Sequence, residues 1–188
     1  MAALDGLKQN RRQGRSVYST AMRPDIERLF AALDQAGVRT IIVGGLAVNL
    51  HGHLRMTIDV DLVVDLADEP ARRAVETLVR LGYRPSVPVD PFTFADAATR
   101  KSWLDRRQML VLSWFHPDDP LSVVDLFTES PLPFETLWSK ATPLAAEREF
   151  VRVAAVGDLI RIKRAAGRPR DLEDARALEE IERERSPS

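Results

Sequence analysis

The spacing of apolar positions changes several times along the chain, and each change marks an element. Beginning at Pro24, the residues Ile26, Leu29, Phe30 and Leu33 recur at i, i+3, i+4 and i+7 ahead of Gly37, which predicts an amphipathic helix with a defined stop. Residues 38–43 are rich in β-branched side chains and are followed by Gly44-Gly45, so they predict a first strand. Residues 46–50 suit a short helix. Residues 58–65 then alternate, with Ile58, Val60 and Leu62 on one face and Asp59, Asp61 and Val63 on the other: a second strand. A helix is predicted over 68–81 through Val75, Leu78 and Val79, closed by Gly82, before a proline-rich connection over 85–91.

Residues 94–107 do not settle between elements. Residues 109–115 and 122–127 read as an antiparallel pair around the turn His116-Pro117-Asp118-Asp119-Pro120. A helix is expected over 134–140 and a strand over 149–156. Beyond Gly157 the pattern is helical to the end, first around Leu159, Ile160 and Ile162, then with Leu172, Ala175, Leu178 and Ile181 in register. No internal repeat is visible. The fold class is α+β (α/β): a mixed β-sheet with helices packed on one side and a C-terminal helical extension.

Composition narrows the chemistry. With no cysteine, disulfides, thiolate catalysis and cysteine-ligated zinc are excluded, leaving oxygen or imidazole ligands for any metal. No apolar run approaches the roughly 20 residues that span a bilayer, and no apolar segment opens the chain, so a cytoplasmic location without membrane contact is expected. A net charge of −1 gives no global pull toward nucleic acid. Lys8, Arg11, Arg12 and Arg15 make residues 1–20 a basic arm, read as a mobile solvated tail in preference to an RNA contact.

The candidate chemistry sits on the second strand. Aspartates at i and i+2 project from one face with β-carbons roughly 6–7 Å apart. Such carboxylates repel, and cations between them relieve the repulsion. Magnesium takes one or two carboxylates together with substrate phosphates, and two ions about 3.5–4 Å apart can serve both the attacking and the leaving oxygen of an in-line displacement. Gly44-Gly45, between a strand and a helix start, lets backbone amides approach a phosphate.

Gly44-Gly45 followed by Asp59-Val60-Asp61, with His51-Gly52, Arg55 and Thr57 between them, resembles the signature of the nucleotidyltransferase (DNA polymerase β-like) superfamily. The likeness runs in particular to its AbiEii-like branch, associated with type IV toxin–antitoxin systems. That branch often has serine where this chain has Gly45. The resemblance implies a third carboxylate on a later strand, met by Asp125 in Ser122-Val123-Val124-Asp125-Leu126-Phe127. It also implies a lysine on a distal helix, met by Lys163, and a basic-Pro-x-Asp-x-x-Asp turn, met by Arg168-Pro169-Arg170-Asp171-Leu172-Glu173-Asp174.

On this reading residues 21–156 form the nucleotidyltransferase core and residues 157–188 the helices that complete the nucleotide site. Asp59, Asp61 and Asp125 are the expected catalytic and metal-binding residues, with two Mg2+ or Mn2+ ions as cofactors. Gly44, Gly45, Arg55 and Lys163 are expected to bind the NTP, with His51, Thr57 and Asp171 in support. The implied activity is transfer of NMP from an NTP to an acceptor hydroxyl, with tRNA or a protein favoured, in a toxin whose partner is a cognate antitoxin. A non-catalytic, antitoxin-like module that binds a protein is the first alternative, and an aminoglycoside nucleotidyltransferase with an acidic cleft the second. Arg55 paired with one of the acids, His51 holding a turn, the tryptophans in the core and Asp65 as a strand-end residue are the structural readings of the same positions.

Overall fold

The computed structural model describes residues 23–145 and 149–185, so the basic arm over 1–20 lies outside the described residues. Helix α1 (Pro24–Gln35) leads into β1 (Thr40–Ile42), α2 (Gly44–His51) and β2 (Asp59–Val64). Helix α3 (Asp68–Arg80), the two-residue strand β3 (Arg84–Pro85), a 3-10 turn (Pro91–Ala95) and α4 (Ala97–Arg107) follow. The hairpin β4 (Val111–His116) and β5 (Asp119–Phe127), helix α5 (Phe134–Lys140), strands β6 (Thr142–Pro143) and β7 (Val151–Val153), and helices α6 (Val156–Ala166) and α7 (Pro169–Arg185) complete the order.

The strands form one mixed sheet in the order β3-β4-β5-β2-β1-β7-β6. β2 and β5 run parallel at its centre, β1 and β7 run parallel beside them, and the remaining pairs are antiparallel. Pro85 and Pro143 lie on the short outermost strands, where a missing N–H costs no ladder bond. Thr40, Ile41 and Ile42 are all fully buried, as are Leu62, Val63 and Val64. Since successive strand residues point to opposite faces, the central strands are covered on both sides and not on one as the sequence pattern suggested.

The unassigned stretch over 94–107 resolves into the 3-10 turn and α4, with Asp96 accepting a hydrogen bond from the Thr99 amide at the helix start. Arg100, on the buried side of α4, donates to the carbonyls of Phe94, Ala95 and Leu66, which ties this helix to the end of β2. Trp114 and Trp103 are core residues. Trp138 stacks on Phe134, and the guanidinium groups of Arg39 and Arg152 lie over its ring.

Two apolar registers differ from expectation. In α3 the buried face is Ala71, Ala74, Val75, Thr77 and Leu78, while Val79 is 39% exposed. In α7 the buried face is Asp171, Asp174, Ala175 and Leu178, again at i, i+3, i+4 and i+7, and Leu172 is turned out to 37% exposure. Two carboxylates therefore occupy positions that a helix normally gives to apolar side chains.

Both C-terminal helices pack on each other and on α2. Two polar contacts fix that arrangement. The His51 ring bonds the Ala154 carbonyl at 2.8 Å, and Arg185 donates to the His51 carbonyl at 2.9 Å. Burial pushes the His51 imidazole below its usual pKa, consistent with a neutral ring that joins α2 to the end of β7.

Candidate active site

Parallel pairing sets Asp61 of β2 directly beside Asp125 of β5, with Asp59 two residues earlier on the same strand face as Asp61. The strands on either side are apolar where they enter the core, at Val60, Leu62, Val124 and Leu126, so the sheet holds the acids in fixed register. Burial, and then the charge of Asp125, push the Asp61 carboxyl up to about 6, with Asp59 adding in the same direction. Lys163 and a hydrogen bond from the Gly45 amide oppose the rise. Asp125 is also raised, by burial and by Asp59, although Ser113, its register partner on β4, hydrogen-bonds the carboxylate. Oδ1 of Asp125 is buried with no hydrogen-bond partner among the described residues.

These acids fit a divalent cation. Three mutually repelling carboxylates and an orphaned buried oxygen are an arrangement that a bound cation would relieve. Among the described residues no three His, Cys, Asp or Glu side chains are gathered closely enough to hold a metal by themselves.

The acids open into a cleft of about 410 Å3. Its wall carries four acids, Asp59, Asp61, Asp125 and Asp171, and four cations, Arg55, Lys163, Arg168 and Arg170. The cleft is thus mixed in charge. Gly45 and Thr57 lie on the same wall.

Gly44 is dictated by Asp61. It sits at φ +62°, and a β-carbon there would lie 1.8 Å from Asp61 Oδ2. Gly37 has almost the same φ, +63°, with nothing among the described residues within 4 Å of its β-carbon position. Gly37→Ala should therefore cost only the left-handed backbone strain, about 1 kcal/mol, whereas Gly44→Ala should cost about 2 kcal/mol or more and also displace Asp61. Thermal melting of both variants checks this; equal losses would show that the Asp61 contact is immaterial.

The distal positions are joined in one ion-pair chain around the buried Lys163, Asp171 and Asp174. Lys163 Nζ contacts Asp171 Oδ1 at 2.8 Å and Asp174 Oδ2 at 2.9 Å. Arg55 grips Asp174 with Nε at 2.7 Å and Nη2 at 2.8 Å, and Arg168 pairs with Asp171. Burial raises the pKa of Asp171 and Asp174, but the hydrogen bonds from Arg168, Arg55 and Lys163 hold both below the usual carboxylate range.

Arg55 thus pairs with an acid, but with Asp174 on α7 and not with the strand acids. The Gly45 amide, expected to face a phosphate, donates to Asp61 in this state. Asp65 is a strand-end residue that pairs with Arg39. Arg168, Arg170 and Asp174 enter the sequence reading only as parts of the distal motif, and Ser113 does not enter it at all. The signal for Asp174 was present as the spacing Asp171, Asp174, Ala175, Leu178.

By sequence the chain matches no family model and no curated protein. By structure it is similar to the antibiotic-resistance factor ANT(2'')-Ia, solved in solution, at 17% identity and a TM-score of 0.51, covering 84% of this chain and 85% of that one. A crystal structure of ANT(2'')-Ia in complex with adenylyl-2''-tobramycin aligns at a TM-score of 0.48 and 17% identity, over 84% of this chain and 90% of that one. The chain has the nucleotidyltransferase fold, an α+β architecture built on a mixed sheet.

Proposed function

We propose that the protein is a metal-dependent nucleotidyltransferase that moves NMP from an NTP to an acceptor hydroxyl with release of pyrophosphate. The observation that carries this reading is the cross-strand pair Asp61–Asp125 with Asp59 on the same face, strained by burial and mutual repulsion beside a cleft with a cationic wall. Asp59 and Asp61 would hold both divalent ions, Mg2+ or Mn2+, and Asp125 would hold one. Bound there, the ions would polarise the phosphoryl oxygens and offset charge on the leaving pyrophosphate. Asp125 would help take the acceptor proton. The acceptor oxygen then bonds to the α-phosphorus as the bond to the β-phosphate oxygen breaks. Lys163 and Arg168, on the same wall, would face the non-transferred phosphates.

Of the acceptors weighed from the sequence, an aminoglycoside hydroxyl has more support than a tRNA or protein hydroxyl, because a solved structure similar to this chain is an antibiotic-resistance factor. Incubating the purified protein and Mg2+ with each labelled NTP, against separate arms of aminoglycosides, tRNA and cell extract, tests both levels of the proposal. A labelled product in any arm supports nucleotidyl transfer, and the arm names the acceptor class. No product in any arm, together with no NTP binding, would overturn it.

A further inference from the structure

We propose that the Thr57 hydroxyl is a phosphate ligand of this cleft, donating a hydrogen bond to a non-transferred phosphate of the bound NTP. The identity of the ligand rests on the nucleotidyl-transfer reading above; the availability and position of the hydroxyl do not. Thr57 lies in the segment between α2 and β2 and lines the cleft together with Asp59, Asp61 and Asp125. A β-carbon added at Gly45 would meet Thr57 Oγ1 at 2.5 Å and Thr57 Cβ at 2.9 Å. The space a side chain at position 45 would need is therefore filled by this hydroxyl, set against the first turn of α2. Gly45 and Thr57 are a matched pair in which the glycine leaves room and the threonine supplies the polar group.

Most donors around it already have partners, although Lys163 and Arg168 each keep N–H groups to spare. The Gly45 amide bonds Asp61. Arg55 gives Nε and Nη2 to Asp174 and Nη1 to the Met56 carbonyl. Lys163 is divided between Asp171 and Asp174, and Arg170 donates to the Met56 carbonyl. Among the described residues Thr57 Oγ1 reaches only the Asp59 carbonyl, at 3.5 Å, the outer limit of a hydrogen bond. Turning the hydroxyl toward an incoming anion gives up almost nothing, and a hydrogen bond to a charged acceptor is worth more than the neutral one it replaces. The branched Cβ, packed over Gly45, restricts χ1 and keeps the oxygen on the cleft wall.

Two variants separate the hydroxyl from its packing. Thr57→Val keeps the shape without the hydroxyl, and Thr57→Ser keeps the hydroxyl without the methyl. Calorimetric titration of the full chain with each of the four NTPs, and with inorganic pyrophosphate, in Mg2+, should show affinity lowered about tenfold in Thr57→Val for both ligand types and within about twofold of wild type in Thr57→Ser. Equal loss of affinity in the two variants would trace the effect to the methyl and overturn the proposal. Wild-type affinity in Thr57→Val would overturn it while leaving the nucleotidyl-transfer reading standing. Absence of both NTP and pyrophosphate binding by the wild-type protein would overturn that reading and the proposal with it.

Discussion

Asp61→Asn is expected to lower nucleotidyl transfer on the order of 10^3-fold and, at neutral pH, to raise the melting temperature of the ligand-free protein. Both effects come from one carboxylate. Holding a divalent ion against the transferring phosphate is worth several kcal/mol in the transition state, and asparagine supplies a neutral oxygen in place of a charge. In the ligand-free chain the same charge is a burden. Its pKa is raised from 3.8 to about 6, so the folded protein binds the Asp61 proton more tightly than the unfolded chain does. Between those two values the native state carries more protons, and stability falls as pH rises, with the penalty complete above about pH 6. The shift corresponds to about 2–3 kcal/mol, which for a chain of this size is about 5 °C or more in Tm.

Melting curves of wild type and Asp61→Asn from acidic to neutral pH should therefore converge at the acid end and separate on approach to pH 7. A variant that melts below wild type at pH 7, or a difference that does not change with pH, would contradict the electrostatic account. Added Mg2+ should raise the wild-type Tm and leave Asp61→Asn nearly unmoved, because a ligand that binds only the native state stabilises it by mass action.

The strand acids were legible because their signal is local. Alternation over a few residues puts Asp59 and Asp61 on one face, and Gly44-Gly45 precedes them within one supersecondary unit. Asp125 was legible for a related reason, as an acid inside an apolar strand. That it faces Asp61, and not some other residue, is a property of parallel strand order, which no local pattern carries.

The buried face of α7 is not legible from its apolar residues alone. Their period places Leu172 in the stripe, whereas the buried stripe begins one residue earlier with Asp171 and includes Asp174. A carboxylate can hold a core position when cations satisfy it, and those cations come from residues 8 and 119 positions away or more locally from Arg168. Arg55 was visible as a cation near the motif. Its partner was not, since the contact closes a loop spanning most of the fold.

Lys163→Met is expected to be the most destabilising single change among the cleft residues, at about 3–5 kcal/mol. The Asp171 and Asp174 side chains are only 4% and 1% exposed, and removing the cation between them leaves two charges in a poorly solvated space. Arg168 and Arg55 would still serve one oxygen or pair on each acid, so the loss is that of a shared partner and not of the whole network. Both acids are held below their normal pKa, so their contribution to stability is present above the unfolded value of 3.8 and disappears as pH falls through the lower folded values. The Lys163→Met deficit should accordingly be full at neutral pH and shrink in strong acid. In the background of Asp171→Asn the same lysine substitution should cost less, with a coupling of about 1–3 kcal/mol in a double-mutant cycle read by denaturant unfolding. Additive losses would show that the two side chains act independently despite their 2.8 Å contact. An ammonium has three N–H donors, of which these two acids use two, so one remains for an anion in the cleft. The pairing that makes Lys163 structural therefore also fixes where its remaining positive group can point, and stability and phosphate affinity should fall together when it is removed.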